Sequence, residues 1–223
     1  CKKLFGSDVE ITLFKYIDEL ENAIQKSPPN ILGLSNYAWN HRLGIEIFRI
    51  MRNKNPNTLR VYGGPNFPAD IKTQEKFLNE FPEIDIYVPI EGETGFSNIV
   101  KRLMECESEE QFRKQVIQSP IDGCISRTRD GKLQYSNSII RINALDDIPS
   151  PYVDGTLDKF FDGRLTPMIQ TNRGCPFSCT FCTDGKEEVS RVNQFSVDHI
   201  KEEISYIGQH VPNNIHSLEI SDL

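Results

Sequence analysis

The chain has 223 residues, 38% hydrophobic and 26% charged, with a formal net charge of −7. That length holds one large soluble domain or two small ones. The acidic balance excludes a broad nucleic-acid surface, which needs clustered Lys and Arg, though a local basic groove is compatible with it.

Residues 12–26 carry Leu13, Ile17, Leu20 and Ile24 on one helical face, and Pro28 and Pro29 stop that helix. Residues 30–37 are an apolar run of strand length. Helical spacing returns over 43–54 through Leu43, Ile47, Ile50 and Met51. Residues 58–62 make a second strand ahead of Gly63, Gly64 and Pro65. A helix over 71–80, a strand over 84–89 and a helix over 94–105 complete an alternation that means βαβ units and a parallel sheet. Ligands of such sheets bind at the loops after the carboxyl ends of the strands, here Ser35–Asn40, Gly63–Pro68 and Glu91–Thr94. The acidic run Glu105–Glu110 reads as a helix end and a solvated loop.

After residue 118 the pattern changes. The segment around Asp130-Gly131 reads as a β-hairpin, and Asp146–Pro151 as a Pro-rich domain boundary. A strand over 166–171, a cysteine-rich loop, a helix over 197–208 capped by Ser196 and a strand over 215–221 open a second α/β unit. The expected organisation is an α/β domain over 1–118, a hairpin and linker over 119–150, and the second unit over 151–223. With Cys1 at the start and Leu223 directly after a strand, the first domain reads as incomplete at its start and the second as cut at its end. No apolar run approaches the roughly 20 residues that cross a bilayer, and no signal-peptide pattern is present, so no membrane partner and a cytoplasmic location are expected.

Six cysteines in this setting read as thiols or metal ligands. Cys1, Cys106 and Cys124 are scattered and read as small buried hydrophobes or surface thiols. The other three lie in residues 172–182, NRGCPFSCTFC, at spacing C-x3-C-x2-C. Thiolates are the usual protein ligands of iron–sulfur clusters. Three of them hold three irons of a cubane and leave the fourth open to an exogenous ligand, as an open zinc position takes substrate. Gly174 and Pro176 fit a tight loop around such a cluster. Structural zinc competes, but it prefers four ligands in two close pairs, and the next candidate downstream is His199, in the helix. A ferredoxin-like carrier wants a fourth Cys.

A strand ending in an RGC-type turn, then C-x3-C-x-aromatic-C, resembles the radical S-adenosylmethionine (SAM) superfamily. The resemblance implies a 4Fe–4S cluster on Cys175, Cys179 and Cys182, with SAM chelating the unique iron. It implies reductive cleavage of SAM to methionine and a 5′-deoxyadenosyl radical that abstracts hydrogen from substrate. It also implies adenine contact by the backbone near Phe181, and SAM amino-group binding at the end of the second barrel strand. There Glu219-Ile220-Ser221-Asp222 offers Asp222 first and Glu219 second; the plain alternative for Asp222 is a surface carboxylate.

Residues 30–105 resemble the cobalamin-binding domain found upstream of many radical SAM domains. Ser35-Asn36-Tyr37 falls at its Ser-containing loop, Gly63-Gly64 follows at nearly the family's distance, and Glu91-Gly92-Glu93 resembles its GEGE-type turn. Glycines there let backbone approach a bulky cofactor, although a Gly-Gly after a strand is by itself usually only a turn. The implied cobalamin contacts are Ser35, Gly63, Gly64, Glu91, Gly92 and Glu93. His41-Arg42-Leu43-Gly44 matches the tail of the D-x-H-x-x-G motif of some cobalamin domains, but Trp39 stands in the Asp position and the segment follows the wrong strand. His41 therefore reads as a chance match. His199, His210 and His216 have no partner pattern and read as core or solvated side chains.

The implied fold is a Rossmann-like parallel-sheet domain followed by the start of a radical SAM (βα) partial barrel. Three functions stay in view. One is cobalamin-dependent radical SAM methyl transfer. The second is a radical SAM isomerase, cyclase or oxidoreductase with a vestigial cobalamin domain, told apart by corrinoid content. The third is a zinc-stabilised α/β binding module, told apart by metal analysis. The radical functions imply a small-molecule, natural-product or glycan-type substrate and a reductase or flavodoxin as electron donor. With only the first strand, helix and second strand of a barrel, the chain by itself is expected to show no substrate turnover.

Overall fold

The computed structural model describes residues 1–136, 141–180, 182 and 190–222. They fall into two units, Cys1–Arg141 and Ile142–Leu223.

In the first unit a helical turn α1 (Lys2–Phe5) precedes α2 (Ile17–Lys26), β1 (Ile31–Ser35), α3 (His41–Lys54), β2 (Leu59–Gly63), α4 (Ile71–Glu80), β3 (Ile86–Val88) and α5 (Gly92–Met104). Then come α6 (Glu109–Gln118), β4 (Ile125–Arg127) and β5 (Leu133–Tyr135). The strands form one sheet in the order β1-β2-β3-β4-β5. The first three run parallel, and the β4–β5 hairpin adds two antiparallel strands beside β3. The fold class is therefore the expected one, α/β with a mostly parallel sheet.

Alternation along the central strands divides the core. Leu59 and Val61 of β2, with Ile86 and Val88 of β3, pack with Ile99 and Phe112 on one face. Tyr62 and Tyr87 join Leu32, Phe48, Met51 and Leu78 on the other. That is the period of two of a strand covered on both faces. Helix α3 approaches the sheet closely at Gly44, where a Cβ would run into the Tyr62 ring and hydroxyl.

Two elements differ from expectation. Helix α2 starts at Ile17, so Leu13 lies outside it; Tyr16 is extended, and Asp18 and Glu19 in the first turn favour a start there through the helix dipole. The acidic run is not a solvated loop throughout. It enters α6, which Ser108 caps by accepting from the Gln111 N–H (3.2 Å), while Gln111 Oε1 accepts from the Glu107 N–H (2.8 Å). This is close to a capping box, and Phe112 in the next turn is 1% exposed.

In the second unit β6 (Met168–Ile169), α7 (Val197–His210) and β9 (Glu219–Ile220) make the expected βαβ arrangement, with Met168 opposite Glu219 and Ile169 opposite Ile220. The strands are only two residues long. β7 (Asn172–Arg173) and β8 (Asn193–Gln194) form a separate antiparallel ladder. The buried core of the second unit is Tyr152, Ile169 and Ile207. The Tyr152 hydroxyl holds β6 from both sides, donating to Met168 O (2.9 Å) and accepting from Met168 N (3.0 Å). The Pro-rich stretch packs on α7: Asp146 accepts from the Ser196 N–H (2.8 Å), and Ser150 donates to the buried Glu203 (2.6 Å). Among the described residues no helix is long and apolar enough to cross a membrane.

Gly44→Ala is expected to destabilise the fold by about 1–3 kcal/mol through overpacking, read as a lower urea midpoint. Gly208→Ala, on α7 where an added Cβ meets nothing, is expected to raise stability by up to about 1 kcal/mol. Equal effects of the two substitutions would contradict the packing at Tyr62.

Candidate cofactor-binding site

The register sets Ser35 opposite Gly63 and Gly63 opposite Val88, so the carboxyl ends of β1, β2 and β3 share one edge of the sheet. Asn36 ties two of the loops there together. It is fully buried. Its N–H donates to Gly63 O (2.6 Å), and its Nδ2 donates to Asn66 O (2.7 Å) and to the Tyr87 hydroxyl (3.1 Å). Tyr87 in turn donates to Gly64 O (2.8 Å). Since Nδ2 faces a carbonyl, Oδ1 is the accepting end, and it receives Asn66 Nδ2 (3.1 Å) and His41 Nδ1 (3.0 Å).

Gly64 has a φ of +126°, and a Cβ there would lie 2.7 Å from Asn36 O. The contact that demands glycine is thus the neighbouring loop's own backbone. Ser35 is exposed and accepts from Asn40 Nδ2 (3.2 Å). Tyr37 and Trp39 stack at 4.6 Å on the same loop, with Trp39 81% exposed. His41 turns inward, bonded to Asn36 and edge-on to Phe81 at 4.7 Å. Burial, reinforced by Arg42, lowers its pKa. The H-x-x-G match therefore serves packing, with His41 in an aromatic cluster and Gly44 beneath Tyr62.

On the third loop Ile90 holds a φ of 57°, a strained conformation for a β-branched residue. The Glu91 carboxylate is 5% exposed and pairs with Arg141 Nε at 3.1 Å, so it anchors the loop. Glu93 accepts from the Ser97 hydroxyl through its backbone O (2.7 Å). Gly92 faces open space, where a Cβ would meet nothing. The edge thus offers exposed glycine backbone at Gly92, while Gly64 and Glu91 are committed to neighbours within the unit.

In the second unit the β7–β8 ladder pairs Asn172 with Gln194 and Arg173 with Asn193, on either side of the segment that carries the three cysteines. Cys175 is half-buried, Cys179 and Cys182 are exposed, and all three are free thiols. The Cys182 N–H donates to Cys179 O (3.1 Å). Among the described residues no three metal-ligating side chains are gathered into one group. The donor set, three thiols on one short loop, is chemically that of an iron–sulfur site. Phe181 lies outside the described residues.

Asp222 has a task of its own. Its Oδ1 accepts from the N–H groups of Thr171 (2.6 Å) and Asn172 (3.1 Å), and its Oδ2 takes the Thr171 hydroxyl. Partial burial raises its pKa, but these hydrogen bonds outweigh it and hold the carboxyl below its ordinary range. Asp222 therefore closes the turn between β6 and β7, just ahead of Cys175. Glu219 is exposed, and its N–H pairs with Pro167 O (3.0 Å).

No protein-family model matches the chain. It is 28% identical over 212 residues to 2-(S-pantetheinyl)-carbapenam-3-carboxylate methyltransferase of Streptantibioticus cattleyicolor, covering 92% of this chain and 29% of that protein. It is 28% identical over 188 residues to the cobalamin-dependent radical SAM methyltransferase TokK of Streptomyces tokunonensis, covering 82% of this chain and 26% of that one. Among solved structures it resembles the cobalamin-dependent S-adenosylmethionine radical enzyme OxsB with aqua-cobalamin and S-adenosylmethionine bound, with a TM-score of 0.67 at 22% identity over 93% of this chain and 27% of that one. That likeness shows the fold. The chain spans less than a third of the length of each.

The half-buried His41 has a sign to test. Its lowered pKa means that the unfolded chain binds the extra proton first as pH falls below the ordinary histidine value of about 6.5. Stability is thus fully present above that value and declines below it. Urea midpoints compared at about pH 7 and about pH 5.5 are expected to fall less in His41→Gln than in the parent. Parallel declines would contradict the burial.

Proposed function

We infer that this chain, which is homologous to cobalamin-dependent radical SAM methyltransferases, spans the cobalamin-binding-like domain and the cluster loop of such an enzyme, and that the enzyme transfers a methyl group. The observation that carries the inference is the order of parts along one chain. Three loops share the carboxyl edge of a parallel sheet, and three free thiols then sit on a loop inside the following βαβ unit. When bound, the cluster supplies the electron that cleaves SAM to the 5′-deoxyadenosyl radical.

Each residue has a role in this proposal. Cys175, Cys179 and Cys182 hold three irons, and the β7–β8 ladder pairs the residues on either side of the segment that carries them. Backbone near Phe181 meets the adenine, and Asp222 or Glu219 meets the SAM amino group. Ser35, Gly63, Gly64 and Gly92 line the face that cobalamin covers, with Glu91 and Glu93 fixing its third loop. A relative that acts on 2-(S-pantetheinyl)-carbapenam-3-carboxylate supports a small-molecule substrate of the natural-product kind. A reductase or flavodoxin is the proposed electron donor, and a reducing cytoplasm suits the free thiols.

A second reading, radical SAM isomerase, cyclase or oxidoreductase chemistry without corrinoid, is favoured by one observation. The demands at Gly64 and Glu91 are met within the chain, by Asn36 and Arg141.

Full-length protein prepared anaerobically is expected to contain iron, sulfide and corrinoid. Cys175→Ala, Cys179→Ala and Cys182→Ala are each expected to lose the iron and sulfide while keeping the corrinoid. Iron and sulfide without corrinoid would favour the second reading. Zinc in place of both would overturn the radical assignment.

A further inference from the structure

The amino ends of β2 and β3 lie on the edge of the first unit away from the cofactor loops. There Asp85, Arg113, Arg127, Arg129, Asn79 and Thr128 are among the residues lining an open cleft of about 290 Å³. Its charge is unbalanced. Three guanidinium groups line it with one carboxylate, in a chain whose net charge is −7.

That carboxylate is already saturated. Asp85 Oδ2 accepts from Arg60 N (2.9 Å) and Nε (2.8 Å), and Oδ1 accepts from Arg60 Nη2 (2.7 Å) and Arg113 Nη2 (3.0 Å). One negative charge thus serves two buried or half-buried cations, and the Nη1 of Arg60 has no hydrogen-bond partner among the described residues. The neighbouring Glu83 pairs with Arg49 through Oε1 at 2.8 Å, its buried Oε2 having no hydrogen-bond partner among the described residues, and Asp130 sits beside Lys132 at 3.8 Å.

Arg127 and Arg129 are left over. Arg127 donates to Ile84 O (2.8 Å). Burial, with Arg60 nearby, lowers its pKa while Asp85 and Glu83 pull the other way, and the guanidinium stays protonated. Arg129 is exposed at the mouth, on the hairpin turn, with no hydrogen bond or ion pair among the described residues. Guanidinium forks match tetrahedral oxyanions in two-point geometry, and a desolvated cation gains most from such a partner.

We propose that this cleft binds a phosphate-type oxyanion, either free phosphate or the phosphate of a small phosphorylated molecule, held by Arg127 and Arg129. It is a second ligand site, independent of the cofactor loops and of the chemistry assigned to them. The anion completes the charge balance of the Asp85 cluster and ties the hairpin turn to α6 and to the amino ends of β2 and β3.

The test is calorimetric titration of the full-length protein with inorganic phosphate and, separately, adenosine monophosphate, in chloride buffer of matched ionic strength. Saturable binding is expected, weakened at least about tenfold in Arg129→Gln and abolished in Arg129→Glu. Arg129 is exposed and outside the ion pairs, so both variants are expected to keep the parent's urea midpoint in chloride. Tighter binding of the nucleotide assigns the cleft to a phosphorylated molecule, and tighter binding of inorganic phosphate assigns it to the free ion. Absence of saturation, or binding unchanged in Arg129→Glu, overturns the proposal.

Discussion

The arrangement of the first unit turns on the buried amide of Asn36. A side-chain amide removed from water is costly unless its donors and acceptor are all engaged. Here Nδ2 reaches Asn66 O and the Tyr87 hydroxyl, and Oδ1 receives Asn66 and His41. Those four contacts join the loop after β1, the loop after β2, strand β3 and helix α3. The same constraint brings the Asn36 backbone against Gly64, where only glycine fits. The edge that would receive a corrinoid is therefore shaped by a polar network beneath it and displays little of that network to solvent.

A comparable device frames the thiol loop in the second unit. Strands of two residues have little cohesion of their own, and side chains supply the rest. The Tyr152 hydroxyl brackets Met168, and the Asp222 carboxylate gathers Thr171 and Asn172. The β7–β8 ladder then pairs the residues on either side of the segment carrying Cys175, Cys179 and Cys182. Asp222 thus bears on the thiol-bearing segment through the backbone geometry of the turn that precedes it.

Periodicity made the alternating helices and strands of the first unit legible, because β2 and β3 are covered on both faces and α3, α4 and α5 each bury one stripe. The three cysteines were legible because their spacing is local. The start of α6 was hidden under its own charge: Glu109 and Glu110 read as solvated, although Ser108 and Gln111 carried a capping signal. The β7–β8 ladder left no trace, since two-residue strands have no period to detect. Asn36 and the arginine cleft were invisible for a different reason. Most of their partners lie far apart in sequence, as Asn66 and Tyr87 do from Asn36 and as Arg60, Asp85 and Arg113 do from one another, and only the folded sheet assembles them.

The most direct test of the central claim is electron paramagnetic resonance on full-length, anaerobically reconstituted and dithionite-reduced protein, with and without SAM. A reduced 4Fe–4S signal that shifts when SAM is added is the predicted result, since three thiolates leave one iron open to it. A cluster signal indifferent to SAM, or no cluster signal at all, would contradict the account.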